Sequence, residues 1–157
     1  IMIGAYKSNA LFIKKAKENE NLKDTIFCNI SFGDANAMIK ELSTLNVNTN
    51  NLIFSQVVPS YTDTSLQVIK QYQELMKKYN PKAELGFISL EAFLAAKVLV
   101  NAIYRIEGDR TREKLIYTLK TTQSDILKGL DLNFKNSQLL NKVYLFKYIN
   151  NEFKGIK

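Results

Sequence analysis

The sequence contains no histidine and no tryptophan, and it has one cysteine and two prolines among its 157 residues. Without histidine, Ser-His-Asp triads, histidine zinc sites and imidazole acid-base catalysis are excluded. Cys28 alone permits neither an internal disulfide nor a cysteine metal cluster, and it is compatible with an exported protein as well as a cytosolic one. A large share of enzyme mechanisms is therefore excluded, and no metal or cofactor is expected.

Other chemical signatures are missing too. There is no glycine-rich phosphate loop and no paired carboxylate motif, so the sequence gives little support to an enzyme. The most apolar stretch, LEAFLAAKVLVNAIY, is interrupted by Glu91 and Lys97, and no run of about 20 apolar residues is available to span a bilayer. The opening IMIGAYK lacks the basic leader and cleavage site of a secretory signal, so we expect any export signal to lie outside this sequence.

Positive charge is the feature in excess, with 22 Lys and Arg against 15 Asp and Glu and a net charge of +7. Such an excess can indicate nucleic-acid binding, because lysine and arginine neutralise phosphates. Here the lysines are spread along polar helix faces and are mixed with acidic residues, as in Lys14, Lys15 and Glu18. No basic motif interleaved with aromatic residues occurs. We therefore predict solvated helix faces and no nucleic-acid partner.

The first third of the chain alternates apolar strand candidates with amphipathic helices. The short segment IMIGAY is followed by a predicted helix at about 9–19, the strand candidate IFCNIS, a helix capped by Asp34, and the strand candidate LIFSQVV. This is a β-α-β-α-β order. It predicts a parallel sheet covered by helices.

The pattern changes at FSQVVPSYTD, where Pro59 ends a strand. Three helices are predicted in succession, at about 65–79, 89–105 and 111–120. Strand candidates then return in LDLNFK, VYLFKYI and EFKGI, with NNE as a hairpin turn between the last two. Because three helices follow without a strand, we predict that the chain enters a different layer or lobe after Pro59.

These segments together resemble a known family. The order SQVVP, QYQELMKKY, SLEAFLAAKVLVNAI, TREKLIYTL, LKGLDLNF and VYLFKYINNEF is similar to the C-terminal half of type I periplasmic solute-binding proteins, the receptors related to the leucine/isoleucine/valine-binding protein. The resemblance covers nearly the whole chain. Each motif alone is weak evidence for the family, because amphipathic helices with alanines are common, whereas the order and spacing of the motifs are specific to it.

The resemblance implies an α/β fold in which two parallel-sheet lobes with flanking helices hold a ligand in a cleft. Residues 1–57 and 142–157 would belong to the second lobe, and residues 58–141, with three helices and a return strand, to the first. The hinge crossings would lie at Val58, Pro59 and Ser60 and near Asn141. The N-terminal half of the family pattern is absent from this sequence, so the fold is expected to be incomplete. A longer polypeptide, a complementary fragment or a second copy would complete it.

Four residues are the ligand-binding candidates that the resemblance implies. Tyr6 matches an aromatic position near the ligand, although it could equally be a half-buried tyrosine at a strand end. Ser31 stands where the branched-chain binder has an acidic residue that contacts the ligand's ammonium group, and serine supplies no charge. Phe32 and Asp34 share its loop, and Asp34 either restores that charge or caps the next helix. Glu91, in the pattern Ser-x-Glu, is interpreted as a helix-dipole partner.

The expected function is that of an extracytoplasmic, periplasmic receptor domain that binds a small molecule, such as an amino acid or a related compound, for an ABC-type uptake system. Its partners would be the ligand and a membrane permease. The alternative is a sensory domain of the same fold in a signalling protein such as a kinase or chemoreceptor. A third interpretation, a small flavodoxin-like enzyme, would need the phosphate loop that the sequence lacks.

Overall fold

The computed structural model describes residues 1–122, 124–132, 134 and 138–156. Nine regular elements are described, in the chain order α1 (Tyr6–Lys17), β1 (Phe27–Asn29), α2 (Ala35–Thr44), β2 (Leu52–Gln56), α3 (Gln67–Tyr79), α4 (Phe87–Tyr104), α5 (Arg112–Lys120), β3 (Tyr144–Ile149) and β4 (Glu152–Gly155). Short 3-10 turns occupy Ser31–Gly33 and Ser124–Leu127. The chain divides into two units, unit 1 with residues 1–60 and 143–157 and unit 2 with residues 61–142.

Unit 1 is built on a four-stranded sheet in the order β1-β2-β3-β4. The pair β1 and β2 is parallel, and Met2 extends the parallel part through a bridge to Asn29. The α/β class is confirmed, and the predicted order holds from α1 to β2, whereas the first predicted strand is represented by the single bridge at Met2. Strands β3 and β4 add antiparallel neighbours, so the sheet is mixed rather than wholly parallel.

One face of the unit 1 sheet is covered by helices. Inward side chains alternate along β2, where Leu52 and Phe54 are buried, as a half-buried strand requires. The ring of Phe12 on α1 meets Phe27 of β1 edge-on at 6.5 Å, and α1 packs against α2. The opposite face is more open, since Leu145 on β3 is 44 % exposed.

Local sequence signals account for the turns of unit 1. Asp34 is the N-cap of α2, and its carboxylate accepts a hydrogen bond from the backbone N–H of Ala37 at 3.1 Å, as its position before an apolar helix predicted. The NNE hairpin is also confirmed. Asn150 and Asn151 both have positive φ, of 53° and 61°, which is the geometry of a two-residue turn that joins twisted antiparallel strands.

Unit 2 contains the three helices α3, α4 and α5, and the extended structure among its described residues is the single bridge residue Gln138. The buried side of α4 carries Leu90, Leu94 and Val98, spaced to form one stripe. Tyr72 on α3 is fully buried, and its hydroxyl lies 2.6 Å from the hydroxyl of Ser89 on α4. All three helices predicted for this segment are present, with boundaries that differ from the prediction by one or two residues.

The return strand predicted in LDLNFK differs from the structure. Residues 130–132 and 134 have no strand conformation, and residues 133 and 135 lie outside the described part of the chain. A strand needs a hydrogen-bonded neighbour, and local alternation of apolar residues cannot provide one.

Contrary to the expectation from the sequence, α4 is long and apolar enough to cross a membrane by length and composition alone. The core helix of a soluble protein passes the same test, and α4 buries five side chains inside unit 2: Phe87, Leu90, Leu94, Val98 and Ala102.

Candidate functional site

The parallel segments of the unit 1 sheet, at Met2, β1 and β2, have their carboxyl ends on the same side of the sheet. We term this end of the sheet the carboxyl edge. The segment after Met2, the loop after β1 and the segment after β2 all emerge there. In open α/β sheets, ligands bind outside the carboxyl ends of the strands. This edge is therefore the candidate site.

All four ligand-binding candidates lie on two of these segments. Tyr6 is the first residue of α1 and is half-buried. Ser31 and Phe32 lie in the 3-10 turn that follows β1, and Phe32 is 60 % exposed. Asp34 closes that turn. Their role in ligand binding stays a prediction.

The two segments approach each other closely at their backbones. A Cβ atom placed on Gly33 would lie 3.2 Å from the carbonyl oxygen of Gly4, which is tighter than most real contacts. The same carbonyl accepts a hydrogen bond from the side-chain amide of Asn9 at 3.0 Å. Glycine at position 33 thus lets the loop after β1 pack beside the segment that leads to Tyr6.

The two helices that begin at this edge differ at their N-termini. The carboxylate of Asp34 caps α2, whereas Ala5, the N-cap of α1, provides no side-chain hydrogen bond. The first N–H groups of a helix have no partner inside it, and together with the helix dipole they favour an anionic group. The N-terminus of α1 therefore suits a ligand carboxylate better than that of α2, where Asp34 supplies a negative charge.

Two polar residues at the carboxyl edge were not predicted from the sequence. Asn29 ends β1 and Gln56 ends β2, each is 2 % exposed, and both point to the helix-covered face with Phe54. Asn29 Oδ1 and Gln56 Nε2 have no hydrogen-bond partner. A buried unpaired polar atom is costly, so each is a candidate to meet a polar group at this edge. The signal was present in LIFSQ, where Gln56 continues the inward alternation of Leu52 and Phe54.

The predicted hinge residues lie near the limits of the two units. Val58 and Pro59 are buried in the segment after β2, and Ser60 is the last residue before unit 2. Asn141 is exposed and lies two residues before the chain returns to unit 1 at Val143. Their role as hinges stays a prediction.

A groove of ≈ 490 Å³ lies at the opposite edge of the unit 1 sheet and includes Lys17 among its lining residues. The ammonium group of Lys17 donates hydrogen bonds to the Asn48 carbonyl at 3.0 Å, to Asn48 Oδ1 at 2.6 Å and to the Asn50 carbonyl at 2.8 Å. Burial lowers the pKa of Lys17, and Asp24 opposes this shift. Since all three donors of the ammonium are used within the protein, Lys17 is a structural residue here rather than an anion-binding one.

No family model matches the chain, and no curated protein matches it. Among solved structures, a possible leucine/isoleucine/valine-binding protein from Rhodopirellula baltica is similar with a TM-score of 0.87 and 28 % identity, over 99 % of this chain and 42 % of the other.

Two further structures show the same likeness at lower identity. An extracellular ligand-binding receptor from Verminephrobacter eiseniae matches with a TM-score of 0.79 and 18 % identity, over 97 % of this chain and 43 % of the other. A leucine-binding protein from Thermotoga maritima matches with a TM-score of 0.74 and 21 % identity, over 98 % of this chain and 42 % of the other. The chain thus spans less than half the length of the structures it matches, and all three are named as binding proteins or receptors.

Proposed function

We propose that this chain, which has the incomplete α/β fold of half a type I periplasmic solute-binding protein, is the C-terminal part of an extracytoplasmic receptor for a small solute. The receptor would deliver its solute to the permease of an ABC-type uptake system. The observation that carries the proposal is the convergence of the Tyr6 and Ser31–Asp34 segments on the carboxyl edge, together with the likeness to binding proteins.

The chemistry of this edge suggests how a solute would be held. The half-buried ring of Tyr6 offers an apolar face and a hydroxyl, and Phe32 adds exposed apolar surface. The uncapped N-terminus of α1 favours a carboxylate. An amino acid or a related small carboxylic acid fits these features. A cationic group on such a solute would form an ion pair with Asp34, the acidic residue of the loop after β1.

Several apolar side chains of unit 1 are exposed, and the remainder of the proposed receptor would have to cover them. Ile1 and Ile3, which flank the bridge at Met2, are 94 % and 77 % exposed. On the open sheet face, Leu145 and Ile149 are 44 % and 45 % exposed. Parallel sheets are normally covered on both faces and continued at their edges. Further strands and helices of the receptor would bury these side chains.

A ligand screen tests the function. The complete polypeptide that contains this chain would be heated with each of the twenty amino acids and with small carboxylic acids, and binding would be confirmed by calorimetry. A solute present at one hundred times its dissociation constant stabilises the folded state by about 2.7 kcal/mol, which raises the melting temperature by several degrees.

The matched variants are Tyr6→Ala and Tyr79→Ala. Tyr79 lies at the end of α3 and is 72 % exposed, so it provides a tyrosine truncation away from the carboxyl edge. We expect Tyr6→Ala to weaken binding about ten-fold or more, as for a buried aromatic contact, and Tyr79→Ala to leave it unchanged. If no compound stabilises the protein, or if both variants bind equally well, the proposed site is wrong.

A further inference from the structure

A groove of ≈ 440 Å³ lies wholly within unit 2. It is lined by residues from the first half of α3, from the middle of α4 and from the 3-10 turn Ser124–Leu127 and the residue that follows it. Three of the lining residues are lysines, one from each of these segments: Lys70, Lys97 and Lys128. We term this feature the lysine groove.

Two of these lysines are attached to α3 by hydrogen bonds. The ammonium group of Lys97, which is half-buried, donates to Gln71 Oε1. The carbonyl oxygen of Lys128 accepts from the N–H of Val68 in the first turn of α3 at 3.2 Å. An ammonium group has three donors, and the described residues accept one from Lys97, whereas Lys17 in unit 1 uses all three. Lys97 therefore has donors left for a ligand.

The positive charges of the lysine groove have no counterion within the described residues. Burial lowers the pKa of Lys97, and the positive charge of Lys128 lowers it further. Two acidic residues, Glu74 and Asp125, also line the groove, but no ion pair joins either of them to a lysine in the part of the chain that the structure describes. Because like charges repel each other most where water is partly excluded, such a site favours a bound anion.

We propose that the lysine groove binds a phosphate group, either as free inorganic phosphate or as part of a small phosphate ester. A phosphate monoester carries a charge of about −1.5 to −2 at pH 7, so one group can neutralise two ammonium groups. Lysine binds phosphate as a point charge. The side-chain amides of Gln67 and Gln71, which also line the groove, can donate to the remaining oxygens.

This site goes beyond the proposed function. The four solute-binding candidates all lie in unit 1, whereas every residue of the lysine groove lies in unit 2. A single carboxylate or a chloride ion brings one negative charge and would leave the second lysine without a counterion. The groove is therefore expected to prefer a doubly charged anion to a singly charged one.

Titration of the complete polypeptide that contains this chain tests the proposal. Sodium phosphate, glycerol 3-phosphate and sodium chloride would each be added at the same ionic strength and at pH 7, and binding would be measured by calorimetry. The variants would be Lys97→Gln and Lys128→Gln. Lys77→Gln is the matched control, because it removes the same charge from the exposed side of α3 outside the groove.

We expect phosphate to bind the parent protein and chloride not to bind it. Each groove variant should bind phosphate about ten-fold or more weakly, because it loses a charge-assisted contact, and the control should bind as the parent does. Tighter binding of glycerol 3-phosphate would identify an ester as the occupant, and tighter binding of phosphate would identify the free anion. Equal heats with phosphate and chloride, or phosphate affinity that is the same in the parent and both groove variants, would overturn the proposal.

A second measurement observes Lys97 directly. With lysine labelled by ¹³C at Cε, the Lys97 resonance is the one that is absent from the spectrum of Lys97→Gln, or of Lys97→Arg if the glutamine variant does not fold. Bound phosphate should raise the pKa of Lys97, because a nearby anion stabilises the ammonium form. An equal pKa in phosphate and in chloride would contradict the proposal. Neither measurement involves the carboxyl edge, so failure of the ligand screen leaves this site unaffected.

Discussion

The geometry at Asp34 leads to a prediction that separates backbone, capping and ligand effects. Its φ is 51°, in the left-handed region, and its carboxylate caps α2 through the N–H of Ala37. Asp34→Ala loses the cap, which costs about 1 kcal/mol. It also places an alanine in a conformation that costs an ordinary L-residue about 1–2 kcal/mol and that aspartate and asparagine tolerate better. The free energy of unfolding should therefore fall by about 2–3 kcal/mol.

Two matched variants divide this loss into its parts. Asp34→Asn keeps both the cap and the tolerance of positive φ, so we expect a change within about 0.5 kcal/mol. Asp34→Gly keeps only the backbone freedom and should lose a few tenths of a kcal/mol to about 1 kcal/mol. Urea unfolding at pH 7, followed by circular dichroism, measures the three values. If Asp34→Asn were as unstable as Asp34→Ala, the charge rather than the cap would be decisive, and the reasoning would be refuted.

The same series addresses ligand binding. If Asp34 contacts a cationic group of the solute, Asp34→Asn should weaken binding while stability is retained, since hydrogen bonds to charged groups contribute about 1.5–3 kcal/mol. This corresponds to a loss of affinity of about ten-fold or more. Unchanged calorimetric affinity would leave Asp34 with the capping role alone.

Three further predictions concern buried polar groups. Tyr72→Phe should lower the free energy of unfolding by about 1–2 kcal/mol in urea denaturation, because its hydroxyl bonds Ser89 Oγ and accepts from the N–H of Gly86; an unchanged midpoint would contradict it. Gln56→Leu should leave stability unchanged or raise it by about 1 kcal/mol, since Gln56 Nε2 is buried and unpaired, and a large loss in the same assay would show that the amide has a partner. Burial raises the pKa of the Tyr144 hydroxyl above its ordinary 10.0. The stability contributed by the neutral hydroxyl is therefore fully present below pH 10.0 and is lost as the pH rises through the raised pKa. Urea unfolding at several pH values should show that Tyr144→Phe loses less stability above pH 10.0 than the parent protein does.

Much of unit 1 was accessible from local patterns. The alternation in LIFSQ predicted β2, the position of Asp34 predicted the cap of α2, and NNE predicted the hairpin between β3 and β4. These features depend on interactions within a few residues. Antiparallel pairing of β3 with β2 was not predicted, because strand neighbours are chosen by contacts between distant parts of the chain.

The residues of the candidate site could also be predicted only in part from the sequence. Tyr6 and Ser31 were predicted as ligand-binding candidates from the family resemblance, and their role stays a prediction. Asn29 and Gln56 were overlooked, because a polar residue at the end of an apolar run has the same appearance whether its side chain is exposed or buried. Only the packed sheet shows that both are buried with an unpaired atom.

The sequence by itself determined the helices, most strands, the turns and the exclusion of histidine chemistry, since each follows from residue type and short-range spacing. The tertiary structure decided which side chains are buried, which strands pair, and which apolar surfaces remain open. In α4 the apolar residues cover two sides of the helix, and the sequence cannot distinguish the side with Leu94 from the side with Leu99. That distinction requires the neighbouring helices, because burial is a property of the surroundings and not of the residue.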